Sequence, residues 1–233
     1  MYILLASNNE HKRREIDGIL EHLAAAVTIL QPRDLGFSFD VVEDGTTFAA
    51  NALLKAQGLA ALIRGELRPG TSLNVPLETV QEKLATLCGD QPPPVLADDS
   101  GICVHALENR PGIYSARYGN SPDTPPLDDR GRNALLLQEL QNHRNRGAHY
   151  VCNAVLLYDA DRYLQAQETW HGEIVETPRD GRTGFGYDPV FLLPRHGQTV
   201  AEIPQAEKDR ISHRAKALRA LARAAGWIEA TGT

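Results

Sequence analysis

Cysteine is scarce and poorly placed for cross-linking: the chain has three, Cys88, Cys103 and Cys152, odd in number, widely spaced and without a CxxC pair. That pattern argues against a disulfide framework and a cysteine zinc site, and it fits a reduced cytosol. Basic charge is short as well. Lysine plus arginine comes to 24 against 30 acids, a formal net charge of −6, so no positive field exists to gather a polyanion and a nucleic-acid polymer is not expected as a partner. The opening MYILLASNNE has no basic leader, and its roughly five apolar residues are too few for a signal core or a membrane span. A soluble, cytoplasmic, unprocessed chain with no membrane association is expected. No GxxxxGK[ST] string occurs, and Gly184-Phe185-Gly186 lacks the third glycine of a dinucleotide fingerprint.

What is present reads as one large α/β domain or two closely packed lobes. The chain has 233 residues, 42% of them hydrophobic, enough for a sizeable core. Tyr2 to Ala6 is an apolar run that stops at Ser7-Asn8-Asn9, after which Ile16, Ile19, Leu20 and Leu23 recur at helical spacing: strand, polar turn, helix. Helical patterns follow over 48–62, 133–140 and 212–225. Strand-like runs fall at 27–30, 95–97, 102–107, 150–158 and 190–193. Their alternation predicts an α/β fold with a mixed sheet. The stretch 64–94 departs from this layout: Leu77, Val80, Leu84 and Leu87 form an amphipathic piece closed by Gly89, and Pro92-Pro93-Pro94 follows. It reads as an inserted helical excursion within a single catalytic domain covering 1–233.

Five segments carry candidate chemistry. Ser7-Asn8-Asn9-Glu10-His11-Lys12 brings small polar residues onto a helix start, where backbone N–H groups, the helix dipole and Lys12 suit a phosphate; helix capping with a solvated lysine is the plainer alternative. Asp98-Asp99-Ser100-Gly101 follows an apolar strand and precedes an expected glycine turn, putting two carboxylates where they could hold a hard divalent ion or act as a base; a solvated turn is the alternative. Glu43-Asp44-Gly45-Thr46-Thr47-Phe48 leads into a helix that carries Asn51 and Lys55 on one face. Gly184 to Phe191 packs aromatics and Asp188 around glycines, suiting purine stacking or a structural hairpin. Lys208, Ser212, His213 and Arg214 cluster cations at the start of the last helix.

In this combination and order the segments resemble the family of non-standard purine NTP pyrophosphatases that includes inosine triphosphate pyrophosphatase. The matching strings are LASNNEHKRREI, EDGTTFAANALLKA, LADDSGICVHAL with PGIYSARY, FGYDPVF and AEIPQAEKDRISHRAKAL. The resemblance implies an elongated α/β fold with a long mixed sheet and flanking helices, two lobes around a nucleotide-binding cleft, Mg²⁺ as cofactor and a homodimer. It implies a triphosphate loop at Ser7, Asn8, Asn9, Glu10, His11 and Lys12, metal ligands at Glu43 and Asp99, and catalytic roles for Asp99, Asp98, Lys12 and Lys55. Ser100 matches a substrate contact, and Phe185, Gly186, Tyr187, Asp188, Lys208, His213 and Arg214 match nucleoside-binding positions. Between Lys55 and Asp98 the chain is longer than the family pattern. No matched position lies within 64–94, so its removal is expected to spare the chemistry.

The implied reaction is hydrolysis of ITP, XTP or their deoxy forms to the monophosphate and pyrophosphate. Hypoxanthine and xanthine offer a 6-oxo acceptor where adenine offers an amino donor, so donors from His213 and Arg214 would favour the former. A related house-cleaning pyrophosphatase of the septum-inhibitor type, acting on other modified NTPs, and a silent nucleotide-binding module are the competing readings.

Overall fold

The structure is a computed structural model, and it describes residues 1–88, 92–160, 162–181 and 184–228. Nine strands and six α-helices are described. The strands are β1 (Tyr2–Leu5), β2 (Thr28–Leu30), β3 (Phe39–Val41), β4 (Thr71–Leu73), β5 (Val95–Val104), β6 (Gly147–Leu157), β7 (Tyr163–Ile174), β8 (Phe191–Leu193) and β9 (Gln198–Thr199). The helices are α1 (Glu10–His22), α2 (Phe48–Ile63), α3 (Leu77–Cys88), α4 (Asp129–Glu139), α5 (Gln205–Ile211) and α6 (His213–Ala224). Seven strands form one mixed sheet in the order β2-β1-β5-β6-β7-β8-β9, and β3 and β4 form a separate antiparallel pair. The α/β expectation with a long mixed sheet and flanking helices holds.

Parallel pairing explains the apolar first strand. β1 lies between β2 and β5 and is parallel to both, with Ile3 opposite Ile29 and Leu4 opposite Val95. A parallel strand covered on both faces reads as a continuous hydrophobic run, and Ile3, Leu4 and Leu5 are fully buried. The chain divides into two compact units. One comprises Met1–Asp99, Asn153–Gln167 and Lys216–Thr233, the other Ser100–Cys152 and Glu168–Ala215. The core of the first gathers Leu4, Phe37, Phe39, Ala52, Ala56, Leu59, Val95 and Val155. That of the second gathers Ile102, Tyr118, Leu136, Tyr150, Trp170, Phe191 and Ile203. Cys103 and Cys152 are both buried.

Four differences from the sequence expectations have physical causes. The expected turn after Asp98-Asp99 does not form: β5 runs unbroken from Val95 to Val104 through Ser100 and Gly101. Val95–Ala97 and Ile102–Val104 are apolar on both sides of the polar stretch, so burial at each end carries the backbone straight through. β7 was not expected, because its exposed residues alternate with half-buried ones and dilute the apolar signal. The terminal helix is preceded by a separate short helix, α5, and the break falls at Ser212, whose backbone is extended and whose Oγ accepts from Ala215 N at 3.1 Å. Helix α4 starts at Asp129, not at residue 133, because Asp128 caps it by accepting from Gly131 N at 2.8 Å.

The 64–94 stretch is more than an excursion. Its helix α3 is present, though Gly89 lies outside the described residues. Its strand β4 pairs with β3, placing Leu73 opposite Phe39. α3 packs on α2 and on the 3₁₀ turn Pro32–Leu35, and Val80 and Leu84 are buried in the same core as Leu59 and Phe39. Replacing the stretch with a linker would therefore strip the apolar cover from α2, although no matched position lies within it. Leu84→Ala should cost about 2–4 kcal/mol of unfolding free energy in a urea titration followed by circular dichroism. A loss below about 0.5 kcal/mol, the range of an ordinary surface substitution, would show that α3 is not part of the core.

Candidate functional site

The first unit holds a buried cluster of acids and lysines built on β5. Successive side chains of a strand point to opposite sides, so the two adjacent aspartates meet different partners. Asp98, 2% exposed, takes Lys12 of α1: Nζ lies 3.1 Å from its Oδ1 and 3.3 Å from its own carbonyl oxygen. Asp99, 7% exposed, takes Lys55 and Asn51 of α2, with Lys55 Nζ donating to Oδ1 at 2.8 Å and Asn51 Nδ2 reaching Oδ2 at 3.4 Å. Lys55 also donates to Glu43 Oε2 at 3.3 Å. One ammonium thus joins two carboxylates from separate segments.

Helix geometry sets this arrangement. Thr47 caps α2 by accepting from Ala50 N at 3.1 Å, so Asn51 and Lys55 fall one turn apart on the face toward β5. Burial, the largest influence on Lys55, works against its charge, but Asp99, Glu43 and Asp98 together outweigh it and hold its pKa above the ordinary lysine value. Asn51 is fully buried, and its Oδ1 has no hydrogen-bond partner among the described residues. A buried amide oxygen left unmatched costs about 1–3 kcal/mol. Three carboxylates therefore face two lysines, with an uncommitted oxygen donor on the side chain that touches Asp99. The set is all oxygen on the acidic side and one positive charge short, which fits a hard divalent cation.

The Ser7–Lys12 segment is organised as a cap. Asn9 Oδ1 accepts from His11 N at 2.9 Å and Lys12 N at 3.1 Å, and Ser7 Oγ accepts from Asn9 N at 3.2 Å. Asn8 Nδ2 donates to Phe39 O at 2.6 Å, and Glu10 pairs with Arg33. Two of the first backbone donors of α1 are thus already engaged, as in the capping alternative. Of this segment, Lys12 enters the acid cluster. A pocket of about 370 Å³ lies beside Asn8, lined also by Ser38, Phe39, Asp40, Ser72, Leu73 and Asn74. Strand β4, within 64–94, therefore lines a cavity next to the expected phosphate loop, which the sequence offered no way to foresee.

The second unit holds an aromatic cluster centred on Asp188. This carboxylate is 4% exposed and accepts from Lys208 Nζ at 2.6 Å, Phe185 N at 2.9 Å and Tyr150 OH at 3.2 Å. Gly184 permits the approach: its φ is +99°, and a Cβ there would lie 2.6 Å from Asp188 Oδ2. Lys208 Nζ sits 4.9 Å from the Phe185 ring centroid, a cation–π distance. His213 stacks on Tyr150, with centroids 4.7 Å apart and planes 6° apart, and lies near Trp170 at 6.2 Å. Arg214 Nη2 donates to Ser100 Oγ at 2.8 Å.

Around this cluster the polypeptide is braced. Gly186 N donates to Asp129 Oδ2 at 2.7 Å and its carbonyl accepts from Asn133 Nδ2 at 3.0 Å. Tyr187 OH donates to Ser115 O at 2.9 Å, and Ser115 Oγ accepts from Ile102 N at 2.9 Å. The PGIYSARY string is therefore the support of β5 and of Tyr187, whose phenol is pushed well above the usual tyrosine range by burial. Sequence reasoning missed Asp129, Asn133, Tyr150 and Trp170. The aromatics looked like ordinary core on their strands, and only the knowledge that both approach His213 separates them from it.

Expected site residues thus assemble as two groups: Lys12, Glu43, Lys55, Asp98 and Asp99 in one unit, and Ser100, Phe185, Gly186, Tyr187, Asp188, Lys208, His213 and Arg214 in the other. Comparison with known proteins agrees over nearly the whole chain. A protein of Treponema denticola named dITP/XTP pyrophosphatase is 38% identical over 223 residues, covering 96% of this chain and 97% of its own. One of the same name from Ralstonia nicotianae is 41% identical over 221 residues, 94% of each. The solved structure of a HAM1 protein from Coxiella burnetii superposes with a TM-score of 0.72 at 30% identity, covering 97% of this chain and 98% of that one. The model of the Ham1 family matches residues 3–224, and the chain belongs to the Ham1 family.

Proposed function

We propose that this chain hydrolyses non-standard purine nucleoside triphosphates, ITP, XTP and their deoxy forms, between the α- and β-phosphates to give the monophosphate and pyrophosphate. The observation that carries the reading is the acid–lysine cluster on β5, one positive charge short, in a chain whose relatives are named dITP/XTP pyrophosphatase. Glu43 and Asp99 are the ligands for a divalent cation, taken to be Mg²⁺. Held by these two carboxylates, such a cation would supply charge neutralisation of the phosphates and activation of the attacking water.

The chain's own residues supply the rest. Lys12 and Lys55 offset charge on the β- and γ-phosphates as it builds toward the leaving pyrophosphate. The proton of the attacking water goes to Asp99 or Asp98. Ser7, Asn8, Asn9, Glu10 and His11 line the triphosphate's approach, which requires the Asn9 cap to give way or the phosphates to rely on Lys12. In the other unit, Phe185 stacks on the base, Asp188 and Lys208 hold the loop that carries it, and Ser100, Gly186 and Tyr187 complete the nucleoside contacts. His213 and Arg214 donate toward the 6-oxo edge. Against an amino group the same donors are left unpaired, at a cost of about 1–3 kcal/mol each. A homodimer acting in the cytoplasm belongs to the same reading and is supported by the family resemblance; among the described residues no helix is long and apolar enough to cross a membrane.

The reading is tested by pyrophosphate release from ITP, XTP, GTP, ATP and UTP with and without Mg²⁺; preference for UTP would favour a house-cleaning role on other NTPs. Asp99→Asn removes a ligand charge and a candidate base while preserving shape, and kcat should fall by at least about a hundredfold with the fold retained. Activity within about tenfold of wild type would remove Asp99 from the chemistry.

Base reading has its own test. Arg214→Ala should lower the ITP/ATP ratio of kcat/KM by roughly ten- to a hundredfold, or about 1.4–2.8 kcal/mol, whereas Phe185→Ala should weaken both substrates alike. Because Arg214 is buried, thermal unfolding of each variant is measured alongside. An unchanged ratio in a folded Arg214→Ala protein withdraws that residue from base recognition.

A further inference from the structure

Tyr150 lies on β6, outside the segments to which site roles are given above, yet it touches both parts of the aromatic cluster. Its hydroxyl donates to Asp188 Oδ1 at 3.2 Å, and its ring lies on that of His213 with centroids 4.7 Å apart and planes 6° apart. Asp188 in turn accepts from Phe185 N and Lys208 Nζ, both on its other oxygen, Oδ2. One phenol thus joins the loop that carries Phe185 to His213, the first residue of α6.

We propose that Tyr150 is a positioning residue for base recognition: its ring sets the plane of the His213 imidazole, and its hydroxyl sets the carboxylate that holds the Phe185 loop. The proposal rests on the reading above, in which Phe185 stacks on the base and His213 donates to its 6-oxo edge. An imidazole N–H donates in the plane of its ring, so turning the ring swings the donor off a fixed acceptor, and a hydrogen bond weakens steeply as its angle worsens. The terminal torsion of histidine is broad and does not set that plane by itself. A neighbour has to do so. The near-parallel ring of Tyr150, at a centroid distance typical of offset stacking, supplies the constraint.

The Tyr150 ring is itself held in place. Tyr150 is buried, and Phe191 packs against it with centroids 4.6 Å apart and planes tilted by 52°. Phe191 also approaches Trp170 at 6.1 Å, and Trp170 lies 6.2 Å from His213. The four rings therefore close a circuit, Tyr150 to Phe191 to Trp170 to His213 and back to Tyr150. Its hydroxyl acts on the other side. Lys208 and the Phe185 N–H hold Asp188 Oδ2 while the phenol holds Oδ1, and gripping both oxygens resists rotation of the carboxylate about its Cβ–Cγ bond, another broad torsion. Ring and hydroxyl thus have separable effects, one on the reader of the base edge and one on the loop that stacks.

The test is steady-state kinetics of the full chain on ITP and ATP for wild type, Tyr150→Phe, Tyr150→Leu, His213→Ala and the Tyr150→Leu/His213→Ala double variant, with circular dichroism to check each fold. Tyr150→Phe keeps the stack and loses the hydroxyl, so KM for both nucleotides should rise alike by about three- to tenfold, with kcat within about twofold and the ITP/ATP ratio of kcat/KM unchanged. Tyr150→Leu loses the stack, and that ratio should fall by about tenfold. In the His213→Ala background the same change should leave the ratio where His213→Ala put it, because residues that act through one another are not additive. Leu136→Ala, a cut elsewhere in the same core, should lower thermal stability and keep the wild-type ratio. Unchanged KM in Tyr150→Phe, an unchanged ratio in folded Tyr150→Leu, additive losses in the double variant, or an equal fall in Leu136→Ala would each overturn the proposal; where Tyr150→Leu does not fold, Tyr150→Phe decides. A ratio lost in His213→Ala but kept in Tyr150→Leu strikes the positioning role alone, whereas a wild-type ratio in His213→Ala removes the base reading at His213 and the proposal with it.

Discussion

The ammonium of Lys55 is the point on which the acid–lysine cluster of the first unit depends. It is largely buried, and it joins Asp99 on β5 to Glu43 on the segment before α2. Burial works against its charge, and the carboxylates around it outweigh that burial. Such a group is a weak source of net stability, yet removing one member costs about 3–5 kcal/mol because an uncompensated charge remains. Its consequence is positional: β5, α2 and the Glu43 loop are registered to one another by charge. The acids are held at a density that calls for a further cation.

The continuity of β5 gives this arrangement its asymmetry. In a turn, Asp98 and Asp99 would share one environment. In a strand they face opposite ways, Asp98 toward Lys12 and Asp99 toward Lys55, Asn51 and, through the lysine, Glu43. The second unit is organised around one buried carboxylate, Asp188, which takes a lysine, a backbone N–H and a phenol at once. Both halves thus use a buried acid to fix basic and aromatic side chains whose own rotamers would otherwise be loose.

Much of this was legible in the residues. The first strand, α2 and the apolar halves of β5 stand out because their periodicity is undiluted, and the charged residues at their ends follow from spacing alone. Other features were hidden for identifiable reasons. DDSG carries turn chemistry, and only the burial of Val95–Ala97 and Ile102–Val104 on either side decides for a strand. β7 has too few apolar residues to announce itself, so Trp170 could not be placed beside His213. The 64–94 stretch showed a helix, but its strand is three residues long, and its contribution to the core and to the cavity beside Asn8 depends on a pairing with Phe39–Val41 that no local pattern encodes. The stack of Tyr150 on His213 joins residues from two separate segments and leaves no trace in spacing.

The central claim is that Glu43 and Asp99 form the cation site while Asp98 stands apart on the other side of the strand. Binding of Mn²⁺, read by its electron paramagnetic resonance signal in the presence of a non-hydrolysable ITP analogue, measures this directly. Glu43→Gln and Asp99→Asn should each weaken Mn²⁺ by at least about tenfold, and Asp98→Asn by less than about threefold. Equal losses in Asp98→Asn and Asp99→Asn, with Glu43→Gln binding as wild type, would contradict the account.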